Sequence, residues 1–486
     1  MWQEVRQEVR QEVKNGWWLM NRRDFFIATG GLLLASPRTY AQEPRRAVRP
    51  VPRVVPGRPV LLKGGVVLSL DPNVGDFDAA DVLIEGSKIA AVGPNLKAVP
   101  SDAVVIDASQ SIVMPGFVDT HRHMWEGQLR GVLPNGRLSD YTRDITGAAR
   151  AVFRPEDARA GDLVSGLGAI NAGVTTVLDW SHIGNSPEHT DAAIDGLRES
   201  GLRAVYAYGG GAGGPKNQFP QDIRRLRRQH FSSSDQLLTL AMATGADASS
   251  WAVAREVGAP ITLHVNGAGS LTPLAAAMRS DCTYIHCNLL TEPEWRLIAS
   301  TGGHVSIAAP IEMEMGHGIP PVQQAIDHGI RPSLSVDVET EMPGDLFTQM
   351  RTVFTLQRMQ VMARERANEQ NTPKLLTAKE VVEFATAQGA RDNGLDRKIG
   401  TLTPGKDADI VLLRHDRINV TPLNNAYGSA VLGMDTSNVD TVFIAGKMVK
   451  QNGELVGVDL ARVNRMARES RDYILSKTGW PTTRVR

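Results

Sequence analysis

The feature that most constrains the fold is an alternation of short apolar runs with amphipathic stretches across the middle of the chain. Eight apolar, β-branched runs recur between residues 112 and 338: IVMPGFVDTH, GVTTVLDW, LRAVYAYG, LLTLAMATG, ITLHV, TYIHC, HVSIAAP and RPSLSVDV. Helical patterning, as in PEDARAGDLVSGLGAINA, separates most of them. Eight strands that alternate with helices predict an α/β protein with a (β/α)8 TIM barrel. An open doubly wound sheet is the rival, but no G-x-G-x-x-G fingerprint follows a strand.

Short strand patterns with glycine turns flank the predicted barrel on both sides. They occupy residues 60–114 and return at residues 398–456. Such runs predict a small β-sandwich domain formed from both ends of the chain. The barrel then spans residues 115–397, and the amphipathic residues 457–486 predict a C-terminal helix.

The first residues predict an export signal. Arg22 and Arg23 precede two phenylalanines, an apolar stretch and a small-residue end at Ala41. This order is typical of a twin-arginine signal peptide over residues 1–41. The apolar stretch is shorter than the ~20 residues of a membrane span, so no stable membrane insertion is expected. With a Pro- and Arg-rich extended tether at residues 42–59, these features predict a periplasmic or secreted protein.

Composition favours a small-molecule partner. Among the 486 residues, 53 Lys and Arg balance 53 Asp and Glu. No net charge attracts nucleic acid or an acidic surface, so we expect a small-molecule substrate and no nucleic-acid partner. Cys282 and Cys287 flank a short strand, which holds them too far apart for a disulfide. We expect two free, buried thiols.

Candidate metal ligands fall at the ends of the predicted strands, where the active site of a (β/α)8 barrel lies. The polar residues at these ends are Asp119, His121, His123, His264, His286 and Asp337. His121 and His123 share one face of a strand, because side chains repeat every two residues. Together with His264 and Asp337 they supply three imidazole nitrogens and one carboxylate oxygen. This set suits Zn²⁺ or a similar divalent ion, with an open position for water. Asp119 is expected to support the fold or to orient one of the histidines.

The stretch MPGFVDTHRHMWEGQLRG resembles the strand-one signature of the amidohydrolase superfamily. The stretch TAKEVVEFATAQGARDNGLDRKIGTLTPGKDADIVLL resembles the segment that leads from its last barrel helix to the β-sandwich. Within that superfamily the chain is most similar to the cytosine deaminase and triazine hydrolase branch, which includes atrazine chlorohydrolase-like enzymes. The resemblance implies one metal ion on the residues matching His121, His123, His264 and Asp337. It also implies that His286 contacts the substrate or the metal-bound water.

The resemblance also bears on the number of ions. Other members of the superfamily hold two metals, bridged by a carboxylated lysine at the end of strand four. Here that stretch reads LLTLAMATGADAS and contains no lysine, which predicts one divalent ion. Zinc is the favoured ion, with iron and manganese as alternatives, and a homodimer is the family-level expectation.

The sequence departs from the deaminases of that branch at strand five. They carry H-x-x-E there, and its glutamate shuttles a proton, whereas this chain reads HVNG, with Gly267 at the glutamate position. The candidates to replace it from neighbouring loops are Glu126, Glu312, Glu314 and Glu339. The missing glutamate weakens the prediction of purine or pyrimidine deamination.

Substrate contacts are expected from the loops at residues 126–150, 181–190, 209–235 and 311–320. The predicted contacts are Trp125, Glu126, Asn266, His286, Glu312 and His317. Trp180 and Phe219 are further candidates for stacking on a ring, and His304 for a contact near strand seven. The sequence does not identify the ligand.

The predicted function is a metal-dependent amidohydrolase that hydrolyses a C–N bond of a small, aromatic or heterocyclic molecule. Asp337 would take the proton of the attacking water and return it to the leaving nitrogen, while His286 stabilises the oxyanion. An aminohydrolase or dehalogenase of an N-heterocycle is the alternative. A metal-binding protein without catalysis, or a lyase on the same barrel, is the alternative from another class.

Overall fold

The computed structural model describes residues 57–481. The predicted signal peptide, residues 42–56 of the predicted tether and the last five residues, 482–486, lie outside this part of the chain. No helix within residues 57–481 is both long and apolar enough to cross a membrane.

Two sheets contain all the named strands of the described residues. The strands are β1 (Val60–Val67), β2 (Phe77–Glu85), β3 (Lys88–Gly93), β4 (Val104–Asp107), β5 (Ser111–Pro115), β6 (Phe117–Arg122), β7 (Val174–Gly184), β8 (Arg203–Gly210), β9 (Leu238–Ala243), β10 (Ile261–Val265), β11 (Cys282–His286), β12 (His304–Ile307), β13 (Ser333–Leu334), β14 (Ile410–Arg414), β15 (Val439–Ile444), β16 (Lys447–Gln451) and β17 (Glu454–Leu455).

The first sheet is the barrel. Strands β6 to β13 pair in parallel and in sequence order. An isolated parallel bridge between Arg122 and Asp337 brings the chain after β13 back to β6. The backbone N–H of Asp337 donates to the carbonyl of His121 over 2.9 Å, and that of His123 donates to the carbonyl of Asp337 over 2.8 Å. The predicted TIM barrel is confirmed, and these bonds fix strand one against strand eight.

Helices and short helical turns connect the strands. The α-helices are Leu138–Tyr141, Arg150–Val152, Pro155–Asn171, Pro187–Ser200, Ile223–Gln229, Ala248–Glu256, Glu292–Thr301, Ala309–Glu314, Val322–Asp327, Leu346–Arg366, Ala378–Glu383, Gly389–Asp392, Ala426–Gly428 and Leu460–Thr478, with π-helical Thr142–Ala149, Phe384–Gln388 and Ser429–Gly433 and 3₁₀ turns Met124–Leu129, Thr272–Ala277 and Thr436–Asn438. Local sequence sets many of their ends. Glu292–Thr301, for example, begins with a capping box of Thr291 and Glu294 and ends at Gly302, whose φ is 70°.

The second sheet joins the two ends of the chain. It is mixed and nine-stranded, in the order β17-β16-β15-β14-β5-β1-β2-β3, with β4 beside β1. The central contact pairs β14 antiparallel with β5, Ile410 opposite Pro115 and Arg414 opposite Ser111. One buried cluster takes Val60, Leu62 and Ile84 from the first half and Ile410, Leu412 and Phe443 from the second. The prediction of a β domain built from both ends is therefore confirmed.

A buried ion pair attaches the β domain to the barrel. Arg203, at the first position of β8, donates from Nε to Asp409 over 2.8 Å and from Nη2 to Asp407 over 2.8 Å. Arg203 is 2% exposed. Because removal of one partner would leave a buried charge uncompensated, loss of either side chain should strongly destabilise this junction.

Two further predictions are confirmed. The C-terminal residues form the helix Leu460–Thr478, whose Val463 packs in one cluster with Leu163 and Leu167 of Pro155–Asn171. Cys282 and Cys287 are free and buried.

Candidate metal centre

Four of the predicted residues meet at the C-terminal mouth of the barrel. His121 Nε2 lies 2.9 Å from Asp337 Oδ1, and His123 Nε2 lies 3.4 Å from the same oxygen. His264 Nε2 lies 3.2 Å from His121 Nε2. The three imidazoles and the carboxylate therefore converge from strand one, strand five and the chain after strand eight.

His286 completes the cluster from the end of β11. Its Nε2 lies 3.8 Å from Asp337 Oδ2. Its Nδ1 lies 3.1 Å from Glu312 Oε1, and the same carboxylate oxygen accepts a hydrogen bond from the backbone N–H of Ala308 over 2.9 Å. Glu312 therefore fixes the ring of His286 from behind and leaves Nε2 directed at the cluster.

The backbone is unusual at two of these residues. His286 has a φ of 72° and Asp337 a φ of 69°. Residues other than glycine seldom adopt these left-handed values, and they persist where the surrounding structure imposes them. The bonds from Asp337 to His121 and His123 supply that constraint at strand eight.

Asp119 holds the backbone beneath the cluster. Its Oδ2 accepts from Arg122 Nε over 2.8 Å, and its Oδ1 accepts from the backbone N–H of Val336 over 3.1 Å and of His121 over 3.3 Å. Its carboxylate thus ties the end of strand one to the residue before Asp337. This is a supporting position and matches the role expected from the sequence.

Burial decides the charge of the imidazoles. Removal from water lowers the pKa of His121 to about 3, and the same burial, with the neighbouring imidazoles, holds the pKa of His264 well below its usual range. Burial alone would raise the pKa of Asp337, but the charge of His286 and hydrogen bonds from His121 and His123 hold it well below its usual range. His121 and His264 are therefore neutral, and the Asp337 carboxylate is ionised.

This donor set fits a divalent metal ion. His121 Nε2 and His264 Nε2 face each other at 3.2 Å. Two neutral imidazoles gain from such an approach when a cation accepts both lone pairs. Three nitrogens and one carboxylate oxygen are a ligand set typical of zinc. The potential ligand atoms of His121, His264, His286 and Asp337 lie within 4.8 Å of one another, so His286 is a candidate for the third nitrogen beside the predicted His123.

A cavity of about 260 Å³ opens above the cluster. His123, His264, His286 and Asp337 form its floor, and Trp180, His182, Asn266 and His317 stand at its sides. Both ring nitrogens of His317 are buried and have no hydrogen-bond partner among the described residues, and the same holds for Asn266 Oδ1. The predicted substrate contacts His286, Asn266 and His317 therefore all face this space.

Three other predicted substrate contacts lie one layer further from the cavity. Trp125 is fully buried and donates from Nε1 to His182 Nδ1 over 3.2 Å. Glu126 accepts from the hydroxyl of Tyr141 over 2.6 Å. Neither residue lines the cavity, and Glu312 reaches it only through His286. These side chains position cavity residues, because another ring stands between each of them and the open space.

The other candidate replacements for the missing glutamate are also accounted for. Glu339 accepts from Arg130 Nε over 2.9 Å and from Ser165 Oγ over 2.6 Å, so it is committed to the scaffold. Glu314 is exposed. Gly267, at the glutamate position of H-x-x-E, has open space around the position of a Cβ. Among the described residues, Asp337 is the one carboxylate that lines the cavity.

The remaining ring candidates differ in position. Trp180 lines the cavity, with its ring centroid 4.2 Å from that of His264. Phe219 packs on Tyr208 at 5.4 Å and does not line the cavity. His304 Nδ1 pairs with Asp392 over 2.9 Å and likewise does not line it.

Of the cavity residues that the sequence did not name individually, His182, Tyr141 and Arg150 carry functional side chains, and all three lie in the loops at residues 126–150 and 181–190 that were expected to supply contacts. His182 follows Trp180 by two positions on β7, which is longer than the apolar run that predicts it. The period of two would have placed both side chains on one face. Tyr141 and Arg150 lie in a segment predicted as loop, where the spacing of Leu138, Thr142 and Thr146 was the available helical signal.

The fold and the cluster define a barrel architecture with potential metal ligands at the carboxyl ends of its strands. The model of the amidohydrolase family matches residues 112–449. The chain belongs to the amidohydrolase family, which confirms the resemblance indicated by its sequence.

Characterised relatives match over most of their length. The chain is 25% identical over 445 residues to a 5'-deoxyadenosine deaminase of Methanosarcina mazei, covering 86% of this chain and 99% of the relative. It is 24% identical over 434 residues to a 5-methylthioadenosine/S-adenosylhomocysteine deaminase of Pyrococcus horikoshii, covering 83% and 97%.

Solved structures share the fold. An adenosine deaminase from Xanthomonas campestris with bound zinc superposes with a TM-score of 0.73 at 22% identity, covering 86% of this chain and 98% of that one. Atrazine chlorohydrolase from Arthrobacter aurescens TC1 in complex with zinc has a TM-score of 0.71 at 21% identity, covering 85% and 100%. At these identities the likeness establishes the architecture alone.

Proposed function

We propose that the protein is a metal-dependent hydrolase that cleaves a C–N bond of a small, ring-containing molecule. The observation that carries this proposal is the convergence of His121, His123, His264 and Asp337 on one point at the floor of a cavity. Family membership supports it, as do relatives that are deaminases. A divalent ion held by these four side chains would supply Lewis acidity and an activated water nucleophile.

The protein's own groups divide the proton transfers between them. Asp337 is ionised and lies at the floor, so it can accept the proton of the attacking water and return it to the leaving nitrogen. His286 donates a hydrogen bond from Nδ1 to Glu312 and presents Nε2 to the cavity. Although burial would lower its pKa, the charge of Asp337 and the hydrogen bond to Glu312 raise it. His286 can thus donate to an oxyanion as it forms.

A panel assay with a metal analysis tests this proposal. The purified protein is loaded with zinc, and hydrolysis is measured for cyclic amides, acyclic aryl amides and aminated N-heterocycles. Turnover of at least one class that disappears on chelation and returns with metal supports the proposal. A zinc-loaded protein that hydrolyses no member of the panel contradicts it.

Ammonia release from an N-heterocycle is the second candidate function, because both relatives described above are deaminases. Gly267 stands against it, since H-x-x-E deaminases use a glutamate there. The open space at Gly267 allows a direct test with the variant Gly267→Glu. If the native reaction is not deamination, this variant should raise ammonia release about tenfold or more, in line with general acid–base help. Efficient deamination by the unaltered protein would favour the second candidate.

We also propose that one ion, most favourably zinc, is bound per chain. A second group of potential ligands, His123, Glu126 and His182, lies beside the first. Two of its members already have partners, since Tyr141 donates to Glu126 and Trp125 donates to His182. Elemental analysis should therefore find about one equivalent of metal after dialysis, and two tightly held equivalents would contradict the proposal.

Two further proposals concern the cellular location of the protein and its oligomeric state. The twin-arginine pattern at Arg22 and Arg23 supports export, and replacing both with lysine should retain the protein in the cytoplasm. Fractionation of cells expressing the two forms is the measurement. Family-level expectation supports a homodimer, which light scattering on the purified protein would detect as twice the mass of one chain.

A further inference from the structure

One face of a helical segment forms the roof of the cavity. Residues 138–152 run as three consecutive helical stretches, Leu138–Tyr141, Thr142–Ala149 and Arg150–Val152. The residues of this segment that line the cavity are Leu138, Tyr141, Thr142, Thr146 and Arg150. Their spacing of about four residues follows the wider turn of the π-helical middle stretch. The roof therefore brings Arg150 to the same cavity as the metal cluster.

Arg150 is the one Lys or Arg that lines this cavity among the residues that the structure describes. Its Nε is buried and has no hydrogen-bond acceptor within residues 57–481. The carboxyl of Glu126 and the hydroxyl of Tyr141 act on it only through space. The side chain as a whole is half-buried. A partly buried guanidinium without a paired anion is free to bind an acceptor from outside the chain, and hydrogen bonds to a charged acceptor are the stronger ones.

The neighbouring arginines in this region, unlike Arg150, are paired with carboxylates. Arg154 makes two hydrogen bonds to Asp157, each 2.8 Å long. Arg143 bonds Asp144 through Nε over 2.8 Å and Asp140 through Nη1 over 2.9 Å. Arg150 differs from both because it faces the cavity.

The cavity wall is suited to an anion. Asp337 is its one acidic lining residue, and its carboxylate is directed at the histidine cluster on the floor. Away from that floor the lining consists of neutral and donor-bearing side chains, which include Arg150, His182, Asn266 and His317. A volume of about 260 Å³ suits a molecule with one ring and short substituents.

We propose that Arg150 binds a carboxylate carried by the substrate, so that the protein hydrolyses the C–N bond of a ring-containing carboxylic acid. The planar fork of a guanidinium matches a carboxylate through two parallel hydrogen bonds. Binding at the roof would hold the opposite end of the molecule, with the scissile bond, over the floor. This inference rests on the proposed function and specifies its substrate class.

The test compares one carboxylate with two on the same ring. Benzoate, isophthalate and terephthalate are titrated by calorimetry into the zinc-loaded, full-length protein. One carboxylate is available to the floor in every case, and the second reports on the roof. The better dicarboxylate should bind at least about tenfold more tightly than benzoate. No advantage for either dicarboxylate would overturn the proposal.

Three variants locate the effect. In Arg150→Met the advantage of the dicarboxylate should fall to about twofold or less, while Arg150→Lys, which keeps the charge and loses the fork, should retain an intermediate value. Arg143→Met is the matched control on the same segment and should keep the full advantage. Retention of the full advantage in Arg150→Met, or in Arg150→Lys if the methionine variant does not fold, would overturn the assignment.

Turnover separates this inference from the proposed function. For a hydrolysed carboxylate substrate, Arg150→Met should raise KM at least about tenfold with a smaller change in kcat, and the matching methyl ester should show no such rise. Failure of every panel compound to react would reject the proposed function, whereas the binding series would still decide the role of Arg150. Hydrolysis with no preference for carboxylates would reject only the role of Arg150.

Discussion

The floor and the roof of the cavity are built in different ways. The floor consists of His121, His123, His264, His286 and Asp337, which end strands or follow them directly and are fixed by backbone bonds between strands. The roof is one face of the helical residues 138–152, inserted between strand one and the first long barrel helix. Chemistry is thus carried by the rigid barrel, and recognition by a segment that can change without altering the strands.

Because of this division, substitutions in the floor and in the roof should affect different kinetic parameters. Changes to the floor should lower kcat, because its groups act on the reacting atoms. Changes to the roof should raise KM and leave kcat nearly unaltered, because its groups hold the substrate away from the reacting bond. The first three predictions test that separation, and the last concerns the barrel beneath it.

The largest effect is expected at Asp337. Asp337→Asn removes the ionised carboxylate that accepts a proton and leaves a side chain of the same shape. We expect kcat to fall by about 10³-fold or more. Stopped-time assays of the zinc-loaded variant, with circular dichroism as the control for folding, measure this. A kcat near that of the unaltered protein would remove Asp337 from the mechanism.

A smaller loss is expected one layer behind the floor. Glu312→Gln weakens the contact that orients His286, so kcat should fall by about 10- to 100-fold with little change in KM. The pH profile should also change, because the hydrogen bond to Glu312 helps to raise the pKa of His286. Glu314→Gln, at an exposed position two residues away, is the matched control. Equal effects of the two substitutions would contradict the positioning role.

The roof should respond in KM. Tyr141→Phe removes the hydroxyl that donates to Glu126 over 2.6 Å and so helps to fix a side chain that lines the cavity. The contact that fixes this ring is worth about 1–1.5 kcal/mol, so its loss should raise KM by at most about five- to tenfold with kcat nearly unchanged. Tyr427→Phe is the control, since its hydroxyl donates to Asp76 away from the cavity. A fall in kcat alone would place Tyr141 among the groups that act on the reaction.

The smallest effect is expected on the free energy of unfolding, through the buried pair Asp162 and Asp179. Burial raises the pKa of Asp179 to about 7 and that of Asp162, which also feels the charge of Asp179, well above its usual range. The folded state therefore holds protons that the unfolded state releases above pH about 4, so stability falls as pH rises from about 4 to 7. Asp162→Asn should flatten this slope and add about 1 kcal/mol at pH 8. Urea unfolding across that range measures it, and an unchanged slope would refute the pairing.

The floor could be predicted from sequence because of its position in the fold. Once eight strands were assigned, the polar residues at their ends were bound to meet, and His121, His123, His264 and Asp337 do meet. The missing glutamate at Gly267 was visible for the same reason. The geometry of the barrel determines where the ends of its strands lie, so it also determines the positions of the residues at those ends.

The roof could not be predicted in the same way. Tyr141 and Arg150 lie in residues 126–150, which were predicted to line the pocket as a loop. They flank a π-helical stretch, whose wider turn differs from the period of an α-helix, so the sequence did not indicate which individual side chains face inward. Trp125 and Glu126 follow His123 closely and were predicted as contacts, but the 3₁₀ turn Met124–Leu129 buries both behind the cavity. How deeply a side chain is buried depends on packing in three dimensions, and its closeness in sequence to a metal ligand does not indicate that packing.

The pairing of β5 with β14 sets an order of events during synthesis. β5 leaves the ribosome before the barrel, whereas its antiparallel partner leaves only after the barrel is complete. Throughout that interval the nascent chain carries an open strand edge, which is prone to pairing with other chains. Fragments that stop short of β14 should therefore aggregate even though every residue of the metal cluster has already been translated.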